Sequence, residues 1–354
     1  MAAPKPRVAV LDDYQGIAAP KFAHLSAAID VAAFQDHLNP NVPDERKALV
    51  ERLQPFTIVS TMRERTPFPA EVIAALPNLK VLLTTGTKNA SIDTAACAKR
   101  GIVVAGAKGI GRARAPVLAS SLDSTMEHTW ALILGICRNI ARDDAAVKSG
   151  GWESSFATAL RGKTLGLLGL GKLGGDTARV GALAFGMKVV AWSSNLTQQA
   201  ADEKARALGL PEGTFQVAGS KEELLRAADV LSIHYVLSER SRGILGAAEL
   251  AFLKPTAVLV NTSRGPLVDE EALISVLKEG KIKGAALDVF ATEPLALNSE
   301  WRTISWGRQN GRSEVLLSPH MGYAEEGAMH RWYEDTVENV EKWLDGKPLD
   351  NIIA

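Results

Sequence analysis

Leu165-Gly166-Leu167-Leu168-Gly169-Leu170-Gly171-Lys172-Leu173-Gly174 is the stretch on which the reading of this chain turns. An apolar run ends in a GxGxxG, and the residues from Gly175 to Phe185 are helix-forming. In a strand–turn–helix setting the first glycine permits the tight turn. The second lets the backbone approach a pyrophosphate, and the third lets helix and strand pack closely. The helix amino terminus then offers free N–H groups to the phosphates. Taken alone, the motif also reads as a glycine-rich turn with no ligand. Its strand and helix flanks favour a dinucleotide loop, with Gly169, Gly171, Lys172, Leu173 and Gly174 as cofactor-binding residues.

Outward from this loop, short apolar runs alternate with helix-length segments, the pattern of parallel strands joined by crossover helices. Strands are predicted at Thr164–Leu168, Lys188–Trp192, Val230–His234, Ala257–Asn261, Gly284–Val289 and Val315–Leu317, enough for a dinucleotide-binding sheet. A smaller unit precedes it, with strands at Arg7–Asp12, Thr57–Thr61, Val81–Thr84 and Ile102–Val104 and helices near Asp44–Leu53 and Thr94–Lys99. Between the units Gly106-Ala107-Lys108-Gly109-Ile110-Gly111 has the wrong glycine order for a second phosphate loop and reads as a solvated loop or hinge. A long helix is predicted from Ser124 to about Arg142, with Ser124 as its cap and Glu127 completing a capping box. A last helix over Glu325–Asp345 carries an apolar stripe of Met329, Trp332, Tyr333, Val337 and Val340, and is expected to pack on the first unit. The fold class is α/β with two doubly wound parallel-sheet domains. A Rossmann-type dinucleotide domain, residues 123–322, is inserted in a smaller flavodoxin-like substrate domain, residues 1–122 plus 323–354.

At 354 residues the chain has the length of two domains. Forty Lys plus Arg against forty Asp plus Glu leave no net charge, which argues against nucleic acid or an anionic membrane surface as partner. Hydrophobic residues make up 46% of the chain, yet no apolar run approaches the ~20 residues of a bilayer span. Met1–Arg7 leads straight into the first strand with no secretory-type apolar region. Cys97 and Cys137 lack metal-type spacing, so no metal site is expected and a cytoplasmic location is the default.

Three apolar runs each deliver a chemically active side chain just past their ends: Arg264 after Ala257–Ser263, Glu293 after Gly284–Phe290, and His320 after Glu314–Pro319. In a parallel sheet all three lie at the carboxyl edge, where ligands of open α/β folds bind. The arginine fork suits a carboxylate or carbonyl oxygen. A histidine can give or take a proton near neutrality, and a carboxylate on its other nitrogen fixes the tautomer. Beside a nicotinamide, that set supports hydride transfer to a carbonyl carbon with proton transfer to its oxygen. After Trp192 come Ser193, Ser194 and Asn195, with no acid for an NAD ribose and no nearby base for an NADP phosphate. Ser193 and Ser194 can hydrogen-bond either, and the choice between NAD and NADP stays open.

These residues resemble the D-isomer-specific 2-hydroxyacid dehydrogenases. The resemblance is dense from Glu127 to Gly322 and looser over the first hundred residues. Its carriers are Glu127-His128-Thr129, Leu167–Gly174, Ala228–His234, Asn261-Thr262-Ser263-Arg264-Gly265, Asp288–Pro294 and Ser318-Pro319-His320-Met321-Gly322. It implies that His320 is the acid/base, Glu293 its partner and Arg264 the residue orienting the substrate. Asp288 would meet the nicotinamide carboxamide, Thr262, Gly322 and the glycine loop would line the cofactor, and His234 would pack beside it. Glu293 stands where formate-specific members carry Gln, which speaks against formate. In the first domain the resemblance places the substrate carboxylate at Thr87-Lys88-Asn89 and the distal end of the substrate at the loop Thr61–Arg65, where Arg63 reads either as the contact or as a surface residue. Lys88 stands where many relatives have Gly, and reads either as an added ammonium for the acid or as a solvated lysine. The implied partner is a small 2-keto or 2-hydroxy acid. The implied assembly is a homodimer through the dinucleotide domain, with the helix from Ser124 either interface or core.

Two segments depart from the family pattern, Ala105–Leu122 and Leu297–Ser313, and either could reach the cleft mouth or a neighbouring subunit. The competing functional class is a nucleotide-sensing binding protein of the co-repressor type, and a third reading is the same chemistry on an unusual acid.

Overall fold

The computed structural model describes residues 4–109, 123–153 and 155–354. The chain divides into two compact units, Met1–Pro116 with Glu325–Ala354 and Val117–Ala324.

In the first unit β1 (Arg7–Val10), β2 (Asp30–Ala33), β3 (Ile58–Thr61), β4 (Val81–Thr85) and β5 (Val103–Ala107) form a parallel sheet in the order β2-β1-β3-β4-β5. β3 and β4 are buried along their whole length, as parallel strands covered on both faces must be. β2 is missing from the sequence reading because it is a half-exposed edge strand with two alanines, Ala32 and Ala33. The expected loop from Ala105 begins instead as strand, since Ala105–Ala107 complete β5, and its remainder from 110 to 122 lies outside the described residues.

The last helix, Glu326–Leu344, packs on β4 and β5 of the same unit. Met329, Trp332, Tyr333, Val337 and Val340 are buried, as the stripe predicts, each contributing about 1.5–3 kcal/mol for a large apolar side chain. Beyond the helix the chain runs along the free edge of β5. Val104 and Gly106 donate their N–H groups to the carbonyls of Ala354 and Asn351, at 2.7 and 3.0 Å.

In the second unit β6 (Thr164–Leu168), β7 (Lys188–Trp192), β8 (Phe215–Val217), β9 (Val230–Ile233), β10 (Val258–Asn261), β11 (Gly284–Leu287) and β12 (Glu314–Leu317) form a parallel sheet in the order β12-β11-β10-β9-β6-β7-β8. Seven strands replace the six expected, the addition being the short edge strand β8. The connection order reverses between β6 and β9, so the turn after β6 sits at the topological switch point. Both faces are buried: in β10 Leu259 packs into one apolar cluster, while Val258 and Val260 pack into the other.

The helix from Ser124 is corrected at both ends. Its cap is Asp123, whose carboxylate accepts from the Thr125 N–H at 3.1 Å, and it ends at Cys137. Asn139 then adopts a left-handed conformation, φ 57°, and a separate helix runs over Ile140–Lys148. Asparagine tolerates that region better than most residues, so the break occurs without Gly or Pro. Trp130, Leu132, Ile133 and Ile136 are buried inside this unit and Leu134 packs against them, so this face of the helix is core.

Candidate active site

The glycine loop is constrained at two backbone positions and open at a third. Gly169 has φ +98°, a conformation that side chains disfavour, and a Cβ on Gly174 would lie 2.3 Å from the Gly169 carbonyl oxygen. Gly171, by contrast, faces open space, with nothing within 4 Å of a built Cβ. It caps the helix Lys172–Phe185 with no side-chain hydrogen bond, so the first N–H groups of that helix are left for an incoming group. A tight turn, an open face and an uncapped helix start are what a pyrophosphate needs, and these residues fit a dinucleotide. Leu173 lies in the first turn, while the Lys172 ammonium pairs with the Asp123 carboxylate at 2.9 Å.

Past β7, the Ser194 N–H and hydroxyl both lie 3.3 Å from the Tyr235 hydroxyl, with Ser193 beside them. His234 follows β9, and its Nε2 is 2.9 Å from the Ser232 hydroxyl; burial pushes this imidazole down to about 4. Thr262 follows β10 and is buried against Thr129, hydroxyl to hydroxyl at 2.7 Å.

His320, after β12, has φ 55°, and its Nδ1 is 2.5 Å from Glu293 Oε2. The other carboxylate oxygen of Glu293 accepts the Phe290 N–H at 2.9 Å, which holds it toward the ring. The His320 ring meets Tyr323 edge-on at 5.6 Å. Arg264 follows β10 with its guanidinium donating to the Ser263 carbonyl at 2.8 Å, while the Asn261 amide donates to the Arg264 carbonyl at 3.0 Å. The next residue explains how these two loops meet: a Cβ on Gly265 would fall 2.0 Å from the Phe290 carbonyl. Glycine there lets the Arg264 turn lie directly against the segment leading to Glu293. The three strand-end residues thus share one edge of one sheet.

Asp288 is engaged within the chain. Its Oδ1 accepts from the Ser318 hydroxyl at 2.6 Å and the Met321 N–H at 2.7 Å, and lies 3.1 Å from His128 Nε2. Its Oδ2 accepts the Gly322 N–H at 2.9 Å. Burial alone raises a carboxyl, yet these hydrogen bonds hold Asp288 below its usual range. The turn Ser318–Gly322, which carries His320, is therefore tied to the end of β11. The motifs that contain Ser318 and His128 give these two residues no role in sequence, because His128 reaches Ser318 and Asp288 only across 190 and 160 residues.

In the first unit Arg63, Lys88 and Asn89 lie past the carboxyl ends of β3 and β4. The Asn89 amide donates to the Arg63 carbonyl at 2.6 Å and to the Thr84 hydroxyl at 2.9 Å, and the Arg63 N–H donates to the Thr85 hydroxyl at 3.0 Å. Arg63 has φ 48°, and its guanidinium lies 5.8 Å from the Trp332 ring centre. Lys88 is exposed. Among the described residues no group of three or more His, Cys, Asp or Glu could hold a metal, and no helix is long and apolar enough to cross a membrane.

Residues 130–322 match the family model described as D-isomer specific 2-hydroxyacid dehydrogenase, NAD binding domain. A glyoxylate reductase of Aeropyrum pernix is 32% identical over 292 residues, 80% of this chain and 78% of that protein. A D-3-phosphoglycerate dehydrogenase of Mycobacterium leprae is 33% identical over 307 residues, 86% of this chain but only 52% of that longer protein. Among solved structures, a phosphoglycerate oxidoreductase of Vibrio cholerae superposes with a TM-score of 0.79 at 34% identity, covering 96% of this chain and 99% of that one.

Proposed function

The chain belongs to the D-isomer-specific 2-hydroxyacid dehydrogenases, NAD(P)-dependent oxidoreductases, and from that premise we propose that it reduces a small 2-keto acid to the D-2-hydroxy acid with His320 as the proton donor. The single observation that carries this reading is the His320–Glu293 pair at 2.5 Å on the sheet edge that also presents Arg264 and the glycine loop. The nicotinamide, when bound, supplies the hydride. Gly169, Gly171, Gly174 and the start of the helix Lys172–Phe185 would hold the pyrophosphate of the dinucleotide, and Ser193 and Ser194 its ribose.

Glu293 accepts from Nδ1 and leaves Nε2 of His320 facing the substrate, so that the proton reaches the carbonyl oxygen as it gains negative charge. Arg264 holds the same oxygen and the carboxylate with its planar fork. Asn89, by fixing the Arg63 and Thr84 turns, shapes the backbone cradle for the carboxylate, with Lys88 beside it and Arg63 toward the distal end of the acid.

The test is nicotinamide absorbance during turnover, with NADH and NADPH each offered glyoxylate, hydroxypyruvate, pyruvate, phenylpyruvate and 2-ketoglutarate. Oxidation lost in His320→Ala, with NADH binding retained, supports the reading. Tight cofactor binding without turnover on any acid refutes it in favour of a nucleotide-sensing protein. We further propose a homodimer through the second unit. Its support is the exposed apolar stretch that contains Ile140 and Val147 and ends in Trp152, 75% exposed, and Phe156, 98% exposed.

A further inference from the structure

The long loop between the Glu293 and His320 motifs brings Arg308 to the amino edge of the second sheet, opposite the edge that carries the glycine loop. A cavity of about 170 Å³ opens there, with Lys163, Asp229 and Lys283 at the starts of β6, β9 and β11, joined by Arg308, Thr158 and Thr256.

Two carboxylates neighbour these cations and both are engaged elsewhere: Glu314 accepts the Arg142 guanidinium at 2.7 Å and the Arg308 backbone N–H at 3.3 Å. Asp229 is already committed, with Oδ2 accepting the Thr164 N–H at 2.8 Å and Oδ1 the Lys254 ammonium at 3.0 Å. Lys283 donates to the Thr158 hydroxyl, and burial, with Arg308 adding repulsion, pushes its ammonium below the ordinary value. Among the described residues the side chains of Lys163 and Arg308 make neither a hydrogen bond nor a salt bridge. Three cations facing one concavity repel one another, and an anion between them turns that repulsion into attraction. The donors match a phosphoryl group in kind: one planar fork, two point charges and two hydroxyls can meet several oxygens at once. An apolar cavity of about 150 Å³ holds a benzene, so this volume admits a phosphoryl group with a short carbon chain.

We propose that this cavity is a second ligand site that binds a phosphoryl oxyanion, separate from the dinucleotide loop and the substrate residues. Lys283 and Asp288 flank the two ends of β11, so the proposed site and the turn that carries His320 are joined by one four-residue strand.

The experiment uses enzyme saturated with NADH, so that the glycine loop cannot take the probe. Sodium phosphate and glycerol 3-phosphate are each titrated against sodium chloride of matched ionic strength, with the thermal midpoint and calorimetric heat as readouts. Lys163→Gln, Arg308→Gln and the double variant are run in parallel; both residues lie near the surface, and their own midpoints without phosphate report the fold. The expected result is a saturable rise of about 4 °C at roughly 20 mM phosphate for a millimolar dissociation constant, weakened about tenfold in each single variant. Tighter binding of glycerol 3-phosphate identifies a phosphorylated metabolite as the ligand type, and equal binding identifies free phosphate. No rise beyond chloride, or a rise undiminished in the double variant, overturns the proposal.

Discussion

Asp288→Asn isolates what one buried carboxylate does for the turn that carries His320. The amide copies the carboxylate in shape but presents one acceptor and one donor. With its oxygen in the Oδ1 position it keeps the partners at 2.6, 2.7 and 3.1 Å, and its NH2 then faces the Gly322 N–H, a donor against a donor. A buried donor without a partner costs about 1–3 kcal/mol, and hydrogen bonds to a neutral oxygen have about half the strength of those to a charged one. The expected loss is about 3 kcal/mol at pH 7, a fall in midpoint of roughly 6–12 °C for a unit of this size. The folded carboxyl lies below its ordinary 3.8, so its contribution is fully present above that value and is lost as the pH falls through the lower, folded one. The gap between wild type and variant should therefore be constant from neutrality to about pH 5 and close only in stronger acid. In steady-state kinetics kcat should drop about 10- to 100-fold, the scale of a misplaced catalytic group, while NADH binding at the glycine loop stays near wild type. Circular dichroism melts at several pH values and initial rates are the assays. A variant that melts within about 1 °C of wild type and retains its kcat refutes the reasoning.

Three further outcomes follow from the same geometry. Gly174→Ala forces a methyl to within 2.3 Å of the Gly169 carbonyl, so fluorescence titration should show NADH affinity falling about tenfold or more; unchanged affinity would remove the loop from the cofactor site. His234 is held neutral down to about 4, so the unfolded chain takes up a proton below its ordinary 6.5 while the fold does not. Because the residue keeps some access to solvent, urea midpoints should show stability lower by only about 1–2 kcal/mol on going from pH 7 to pH 5, with the slope reduced in His234→Gln. Phe156→Arg combined with Trp152→Arg should give a monomer by light scattering if the exposed stretch is the subunit contact, and an unaltered mass would discard that surface.

The parts of this protein that can be read in advance are those in which chemistry and burial repeat locally. β6 and β7 have the limits expected from their apolar runs, because a parallel strand between covering helices reads as a near-continuous apolar stretch behind one polar residue, Thr164 or Lys188. β8, three residues with Gln216 exposed, and the alanine-rich β2 lie at sheet edges and lack that signal. The same division holds at the sheet edge that carries His320. Arg264, Glu293 and His320 stand out because each ends an apolar run. The roles of Gly265, Ser318 and His128 exist only in three dimensions, where a missing methyl admits Phe290 or a hydroxyl finds Asp288. The misplaced helix cap illustrates the limit in miniature, since Asp123 and Ser124 are both good caps and the choice depends on where the chain enters the helix.

The segment of residues 351–354 along β5 sets the order in which the molecule can be assembled. During synthesis the residues of the second unit are all available before Glu326 emerges, whereas the first sheet must wait with one face uncovered and an open edge at Val104 and Gly106. An uncovered edge strand is a template for pairing with another chain. Ribosome-bound chains stalled before residue 325 should thus contain a protease-resistant second unit beside a protease-sensitive, association-prone first one. The insertion of one domain within another makes the last thirty residues the latch on the first.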